Sequence, residues 1–307
     1  MRVASSETIA APAREAAAQA PWRRFAEEFA ESRLAVFGLA LLVVLALVAI
    51  AAPWISPQNP YDLAQLDVMD SKLAPGADAL NGGTYWLGTD DQGRDMLSGI
   101  FYGLRISLTV GAASTAIALA IGLALGMLGA YAGGWLDALI MRIADLQLSF
   151  PAILIALILL AVLGQGTGKI IAALVTVQWA YYARTVRSAA LVEREKEYVE
   201  AAQVLALPKW RILVKHLLPN CLPPLIVVAT VQVAHAIALE ATLSFLGLGL
   251  PITEPSLGLL IANGFQYLMS GKYWISFYPG LALLLSIMAI NLVADQLRDV
   301  LNPRLRR

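Results

Sequence analysis

The chain has 307 residues, 59% of them hydrophobic and only 14% charged, with 22 basic and 22 acidic side chains and no net charge. Soluble domains carry roughly 25% charged residues to keep their surfaces wet, so a soluble enzyme is excluded, and the mean hydropathy of +0.68 points to a membrane. A neutral chain offers no basic field for nucleic acid. The single cysteine, Cys221, rules out an internal disulfide or a C-x-x-C centre.

In chain order, residues 1–20 are alanine-rich without an apolar period, which predicts disorder. Residues 21–32 place Trp22, Phe25 and Phe29 at helical spacing among charges. That pattern fits either a surface helix anchoring the chain to the membrane or a solvated helix start. Crossing about 30 Å of hydrocarbon takes roughly 20 apolar residues. Charge-free runs of that order occupy 34–55, 106–131, 146–163 and 273–294. Two further runs are less regular. The segment 170–183 has only 14 uncharged residues and must recruit 184–190, and 217–239 is interrupted by Pro219, Pro223 and Pro224. The expected architecture is therefore all-α: a polytopic membrane protein with six transmembrane helices. The first helix begins after 33 residues and is too long for a cleaved signal.

Six crossings put both termini on one side. Assigning that side to the cytoplasm leaves 17 lysines and arginines inside and 5 outside, in line with the positive-inside rule. The parts are then a cytoplasmic tail and surface helix (1–33), a first span (34–55), an outer loop (56–102), a five-helix core (103–297) and a cytoplasmic tail (298–307). The outer loop is acidic and ends in W-L-G-T-D-D-Q-G-R-D at 86–95. Turn and capping chemistry accounts for it locally, and its acid spacing does not fit a calcium loop.

The connection 184–216 is long and highly charged. Tyr198, Ala201, Ala202 and Leu205 recur at helical spacing, and Pro208 ends that helix. A second helix from 207 leads back to the membrane. Such a pair makes either a knob for a groove on a partner or an ordinary connection. Within the spans, Glu240 and Ser244 lie i, i+4 on one face and either line a path or bond a neighbouring helix. Gln178, Gln232, His235 and Asn291 carry the same two readings. Arg142 and Asp145, at i, i+3, are expected to pair. Gly122, Gly126 and Gly129 are packing residues that let two helix backbones approach.

Several activities fail on spacing. The two histidines, His216 and His235, lie 19 apart, too far for a helical metal pair. The run G-Q-G-T-G-K at 164–169 has Leu163 where a phosphate loop needs glycine, and Ile170 where it needs Ser or Thr. A self-contained secondary transporter predicts inverted repeats and paired broken helices, which the sequence does not display. An intramembrane enzyme would need a nucleophile with its base or a metal pair, and a channel would need a repeated pore signature.

The sequence resembles the membrane permease subunits of ATP-binding-cassette importers. Glu200-Ala201-Ala202 and Leu218-Pro219 match the cytoplasmic loop motif of that family, E-A-A, three residues, Gly, then a later L-P; Ala206 stands at the glycine position. The His-x-Leu-Pro-Asn run at 216–220 is similar to the peptide-importer branch. So are L-G-T-D-D-Q-G-R-D at 87–95, Phe150-Pro151 after Asp145, and E-A-T-L-S-F-L-G-L-G at 240–249. The resemblance spans 34–303 and indicates the C-subunit type of the dipeptide, oligopeptide and nickel permeases.

It implies a type I importer permease fold in the bacterial inner membrane and no enzymatic activity or cofactor on this chain. ATP and magnesium would sit on two partner ATPases. The other partners implied are a second permease, an extracytoplasmic solute-binding protein and the lipid bilayer. Substrates of the branch include peptides, glutathione, nickel chelates and opines. The resemblance makes Glu200, Ala201, Ala202, Leu205, Ala206 and Pro208 the candidates for ATPase coupling. Gln178, Glu240, Ser244 and Asn291 are candidates for the translocation path, and Asp90, Asp91, Arg94 and Asp95 for the loop facing the binding protein.

Overall fold

A computed structural model describes residues 21–62, 66–80, 82–251 and 253–301. The expected disorder of 1–20 and the tail beyond 301 lie outside the described residues. Helix α1, Pro21–Ala30, precedes α2, Arg33–Ile55, which is capped by Ser32 accepting from the Ala35 N–H at 3.3 Å. The loop that follows holds a two-residue hairpin pairing Ala77 with Tyr85 and Asp78 with Thr84, the one sheet among the described residues. Then come α3 (Met96–Ala132), α4 (Gly134–Leu148), α5 (Ala152–Leu163), α6 (Thr167–Arg194) and α7 (Glu197–Val204). The chain continues through α8 (Lys209–Phe245), α9 (Leu257–Phe265) and α10 (Trp274–Leu301).

The helices α2, α3, α8 and α10 are long and apolar enough to cross a membrane, and α4 with α5 form a fifth candidate bent by 91°. The exposed apolar side chains of α2 and α5, among them Phe37, Leu47, Ile50, Ile158 and Val162, suit a lipid surroundings. Six was the expected count. The sixth candidate, α6, is 28 residues and about 42 Å long, yet too polar to stand with the others by composition.

Three boundaries differ from the sequence reading. The span expected at 146–163 is not straight: Pro151 lacks an N–H and restricts Phe150 to extended geometry, so the chain turns between α4 and α5. The prolines expected to interrupt 217–239 do not break α8. A π-helical turn at Ile212–Leu217 takes up an extra residue just before Pro219 and absorbs the mismatch. The connection expected at 184–216 is mostly helix, because α6 runs to Arg194 and α8 begins at Lys209. Short helix α9, not separated in the sequence, is capped by Ser256 and seated between α8 and α10. Gly258 faces the Ala241 backbone there and Gly264 faces Ser276.

Contacts fix the helix directions. Gly122 of α3 meets Trp179 and Tyr182 of α6, and Gly126 meets Ala183 and Val186 one turn further, so α3 and α6 run parallel. Ser107 near the start of α3 reaches Glu240 near the end of α8, so α8 is antiparallel. The Trp274 indole at the start of α10 donates to the Thr89 carbonyl in the loop ahead of α3. At the far end Gln296 Nε2 donates to the Glu28 carbonyl at 3.0 Å, joining α10 to α1. The loop before α3 and the α7 turn therefore sit at opposite ends of a helix about 55 Å long. One apolar core, with Met127, Tyr182, Val186 and Leu217, lies toward the α7 end. Another, with Val110, Leu160, Leu174 and Leu243, lies toward the loop end.

Candidate coupling turn and translocation path

Helix α7 is only eight residues long, too short to persist in water unless packed. Val199 and Ala202 provide that packing; both are buried against Val186, Ala190, Ile212 and Leu217. Glu200, Ala201, Leu205, Ala206 and Pro208 are exposed. The predicted stripe is thus split: Ala202 is buried with Val199 as an internal anchor, while Tyr198, Ala201 and Leu205 are exposed. The exposed apolar surface of the turn is built instead from Leu205 together with Val204 and Trp210, which the sequence reading missed. Val204 is 86% exposed, an unusual position for a β-branched residue beside a packed core. Adjacent Val204 and Leu205 closing a small-residue helix, with a tryptophan just past Pro208, was the available signal.

Ala206 closes α7 with φ +52°. The Leu207 N–H bonds to the Ala202 carbonyl at 3.2 Å and the Ala206 N–H to the Gln203 carbonyl at 2.9 Å. This is the Schellman pattern, which places a left-handed residue just past the helix. The same pair of bonds closes α8, from Leu248 to Leu243 and from Gly247 to Ser244, but there the left-handed residue is Gly247, φ +76°. Ala206 adopts the conformation that the glycine of the resembling motif would take, at a cost of about 1 kcal/mol. The bend survives the departure from the motif.

A polar cluster ties the turn to the helix ends. The Tyr198 hydroxyl donates to Glu193 Oε2 at 2.7 Å and accepts from Asn220 Nδ2 at 3.0 Å. Lys196 Nζ lies 2.5 Å from Glu193 Oε1, and Asn220 Nδ2 also donates to the His216 carbonyl at 2.7 Å. Burial, then the bond to Glu193, push the Tyr198 phenol up to about 12, so it remains a donor at any working pH. Arg187 forks onto Asp137 at 2.5 and 2.6 Å, locking α6 to α4. Asp145 meets Arg184 at 3.6 Å, not the expected Arg142, because the chain turn after α4 brings α6 alongside.

The four predicted path residues do not converge. Glu240 is fully buried and accepts from Ser107 at 2.9 Å and Ser244 at 2.8 Å, joining α3 to α8 as an interhelical bond. Ser244 is buried with it, and Asn291 is exposed on α10. Gln178 lines a cavity. That cavity, about 360 Å³, is also faced by Tyr181, Gln232, His235 and Thr242. A larger one of about 1040 Å³ opens between α6, α8 and α10, faced by Thr185, Ser188, Glu193, Asn220, Gln232 and Arg298. Gln232 lines both, and its Oε1 lies 3.0 Å from His235 Nδ1. Gln178, Tyr181, Thr185 and Ser188 follow i, i+3, i+7 and i+10 along α6. This polar stripe was readable in the sequence but was cut where 184 onward was assigned to a connection.

The acidic loop turns its chemistry inward. Asp90 and Arg94 are buried and paired at 2.8 Å, and Asp90 Oδ1 also accepts from the Gln92 and Arg94 N–H groups at 2.8 and 2.9 Å. Buried Asp95 caps α3, accepting from the Ser98 N–H at 2.8 Å. Three of the four side chains expected to face a binding protein are therefore committed to the fold, since a charge leaves water only when paired or capping. Asp91 is half-buried, and burial followed by the Asp90 charge raises its carboxyl above the ordinary 3.8.

Two families match the chain. "Binding-protein-dependent transport system inner membrane component" covers residues 116–307, and "N-terminal TM domain of oligopeptide transport permease C" covers 20–75. The dipeptide transport system permease protein DppC of Escherichia coli is 38% identical over 307 residues, 100% of this chain and 99% of the relative. The di/tripeptide transport system permease DppC of Pseudomonas aeruginosa is 36% identical, covering 93% of each chain. Among solved structures, the inward-facing MetNI methionine ABC transporter matches at TM-score 0.55 and 21% identity. The match covers 67% of this chain and 98% of that one, and it shows the fold.

Two substitutions test the turn and the loop. Ala206→Gly is expected to stabilise the purified chain by about 1 kcal/mol, read as a raised midpoint of thermal unfolding; a lowered midpoint would contradict the left-handed assignment. The raised Asp91 carboxyl favours folding while protonated and loses that contribution as pH rises through its folded value. Asp91→Asn is therefore expected to raise thermal stability at pH 7, with the advantage shrinking as the pH falls toward 4. An advantage that is constant across that range would remove the electrostatic cause.

Proposed function

Because this chain belongs to the family of binding-protein-dependent transport system inner membrane components, we propose that it forms half of the translocation pathway of an ATP-driven importer of di- and oligopeptides, and couples that pathway to cytoplasmic ATPases through α7. The coupling turn carries the reading: α7 is held from inside by Val199 and Ala202 while Val204, Leu205 and Trp210 stand exposed beside Glu200. A buried seat under an exposed apolar knob suits a groove on a soluble partner. The substrate class is supported by the two relatives named for dipeptides and di/tripeptides.

In this reading the second permease completes the pathway across from the α6 and α8 polar stripe. Two ATPases bind ATP and magnesium beneath α7, and a binding protein delivers peptide at the opposite end. The 17-to-5 distribution of basic residues supports α7 and both termini in the cytoplasm, and the family supports the bacterial inner membrane. ATP-driven closure of the ATPases biases a two-state arrangement of helices through contacts that differ between the states. The cavity between α6, α8 and α10 then belongs to the state open toward α7. Beside the charged Glu193, Asp295 and Arg298, its lining of Gln232, Asn220, Thr185 and Ser188 offers neutral hydrogen-bonding groups to a peptide backbone.

The test is to tag the chain in its native membrane, purify it with its partners, reconstitute the complex in proteoliposomes and follow a labelled dipeptide. Uptake is expected to require ATP and the binding protein. Uptake by the chain alone, driven by an ion gradient, would contradict the reading. Glu200→Lys should leave insertion intact and lower ATP-driven uptake by roughly tenfold, since charge reversal opposes a docked partner. Normal uptake in that variant would remove Glu200 from the docking surface.

A further inference from the structure

The coupling helix is attached to the transmembrane bundle in two physically different ways. Val199 and Ala202 seat it by apolar burial, which is non-directional and tolerates sliding. The Tyr198 hydroxyl is directional. It donates to Glu193 at the end of α6 and accepts from Asn220 near the start of α8, at 2.7 and 3.0 Å. Both partners are cavity-lining residues: Glu193 and Asn220 face the cavity of about 1040 Å³ from two walls. Asn220 is in turn bonded to the His216 carbonyl, on the π-helical turn that precedes Pro219. A tilt of α7 would thus pull on one wall through a carboxylate and on the other through an amide beside a locally underwound segment.

We propose that the Tyr198 hydroxyl is a positioning group that transmits movement of the docking helix to both walls of the cavity. Val199 and Ala202 supply attachment; Tyr198 supplies the coupling. The proposal rests on the importer reading and adds to it a specific relay. It also gives a physical role to the His-x-Leu-Pro-Asn run, whose functional atoms at its ends are a backbone carbonyl and an amide rather than the imidazole.

The test uses the complete transporter, purified with its partner subunits and reconstituted in proteoliposomes, with labelled dialanine as probe and the ratio of dipeptide imported to ATP hydrolysed as readout. Tyr198→Phe keeps the ring and removes the bonds, and is expected to lower that ratio roughly fivefold, the scale of one hydrogen bond, in a complex of normal subunit stoichiometry. Glu193→Ala, which leaves the sequence of α7 unchanged but also removes the Lys196 pair, should lower it similarly and carries the test if Tyr198→Phe fails to assemble. Glu193→Gln, still able to accept from the phenol, should retain more of the ratio than Glu193→Ala. The double variant should lose no more than either single change, because one relay is being cut twice. An unchanged ratio in Tyr198→Phe, or additive losses in the double variant, would overturn the relay. A wild-type complex without ATP-driven uptake would instead overturn the importer reading, before any variant is compared.

Discussion

A Cβ on Gly122 would lie 2.6 Å from the Trp179 carbonyl oxygen, and one on Gly126 would lie 2.9 Å from the Val186 side chain. Neither distance is tolerable, so α3 and α6 touch along their backbones. In hydrocarbon no hydrophobic force drives helices together, and close van der Waals approach through small residues substitutes for it. That contact allows α6 to be as polar as it is. Wrapped by α3, α4, α5 and α8, it can carry Gln178 and Arg187 because few of its faces are exposed there. Its C-terminal end, fixed by Arg187 on Asp137 and by Arg194 on the Ala130 carbonyl, supplies the platform on which α7 is seated.

Polar groups elsewhere in the bundle follow the same rule of pairing. Glu240 would be costly among apolar side chains alone; Ser107 and Ser244 satisfy it and in doing so fix the register of α8 against α3. At the loop end, Asp90, Arg94 and Asp95 bond within the loop or cap α3, and Trp274 ties α10 to the same loop. Polar residues facing open space include those of the α6 and α8 stripe, Asn291, Asp295 and Arg298 on α10, and the exposed surface of α7. The inside of the bundle is thus sorted into groups that hold helices together and groups that remain available to a passing ligand.

Much of this was legible in the residues. Charge-free length located α2, α3, α8 and α10, and the glycines of α3 announced a backbone contact. Turn and capping chemistry correctly described Asp95. Other features were hidden because hydropathy counts residues without regard to backbone direction. Pro151 redirects the chain inside a run whose composition is uniformly apolar. Arg184 and Arg187 looked like the start of a connection, yet their partners Asp145 and Asp137 lie 39 and 50 residues away, beyond any local pattern. Ending α6 early removed half of its polar stripe from view, which is why Gln178 was found and Thr185 and Ser188 were not. Of the stripe on α7, Tyr198, Ala201 and Leu205 are exposed and Ala202 is buried, because eight residues give too few repeats to fix the edge of a face.

In the proposed function, energy enters this chain from a partner at the α7 turn, while the loop ahead of α3 is structurally committed at the other end. Site-specific cross-linking addresses this most directly. A cysteine at Leu205, 73% exposed on the turn, and another at Val68, 75% exposed in the opposite loop, can be introduced singly, since native Cys221 is buried. Treated in native membranes with a short bifunctional thiol–amine reagent, Leu205→Cys is predicted to capture an ATPase subunit and Val68→Cys to capture none. Capture of the ATPase from Val68, or none from Leu205 in membranes that still transport, would contradict the account.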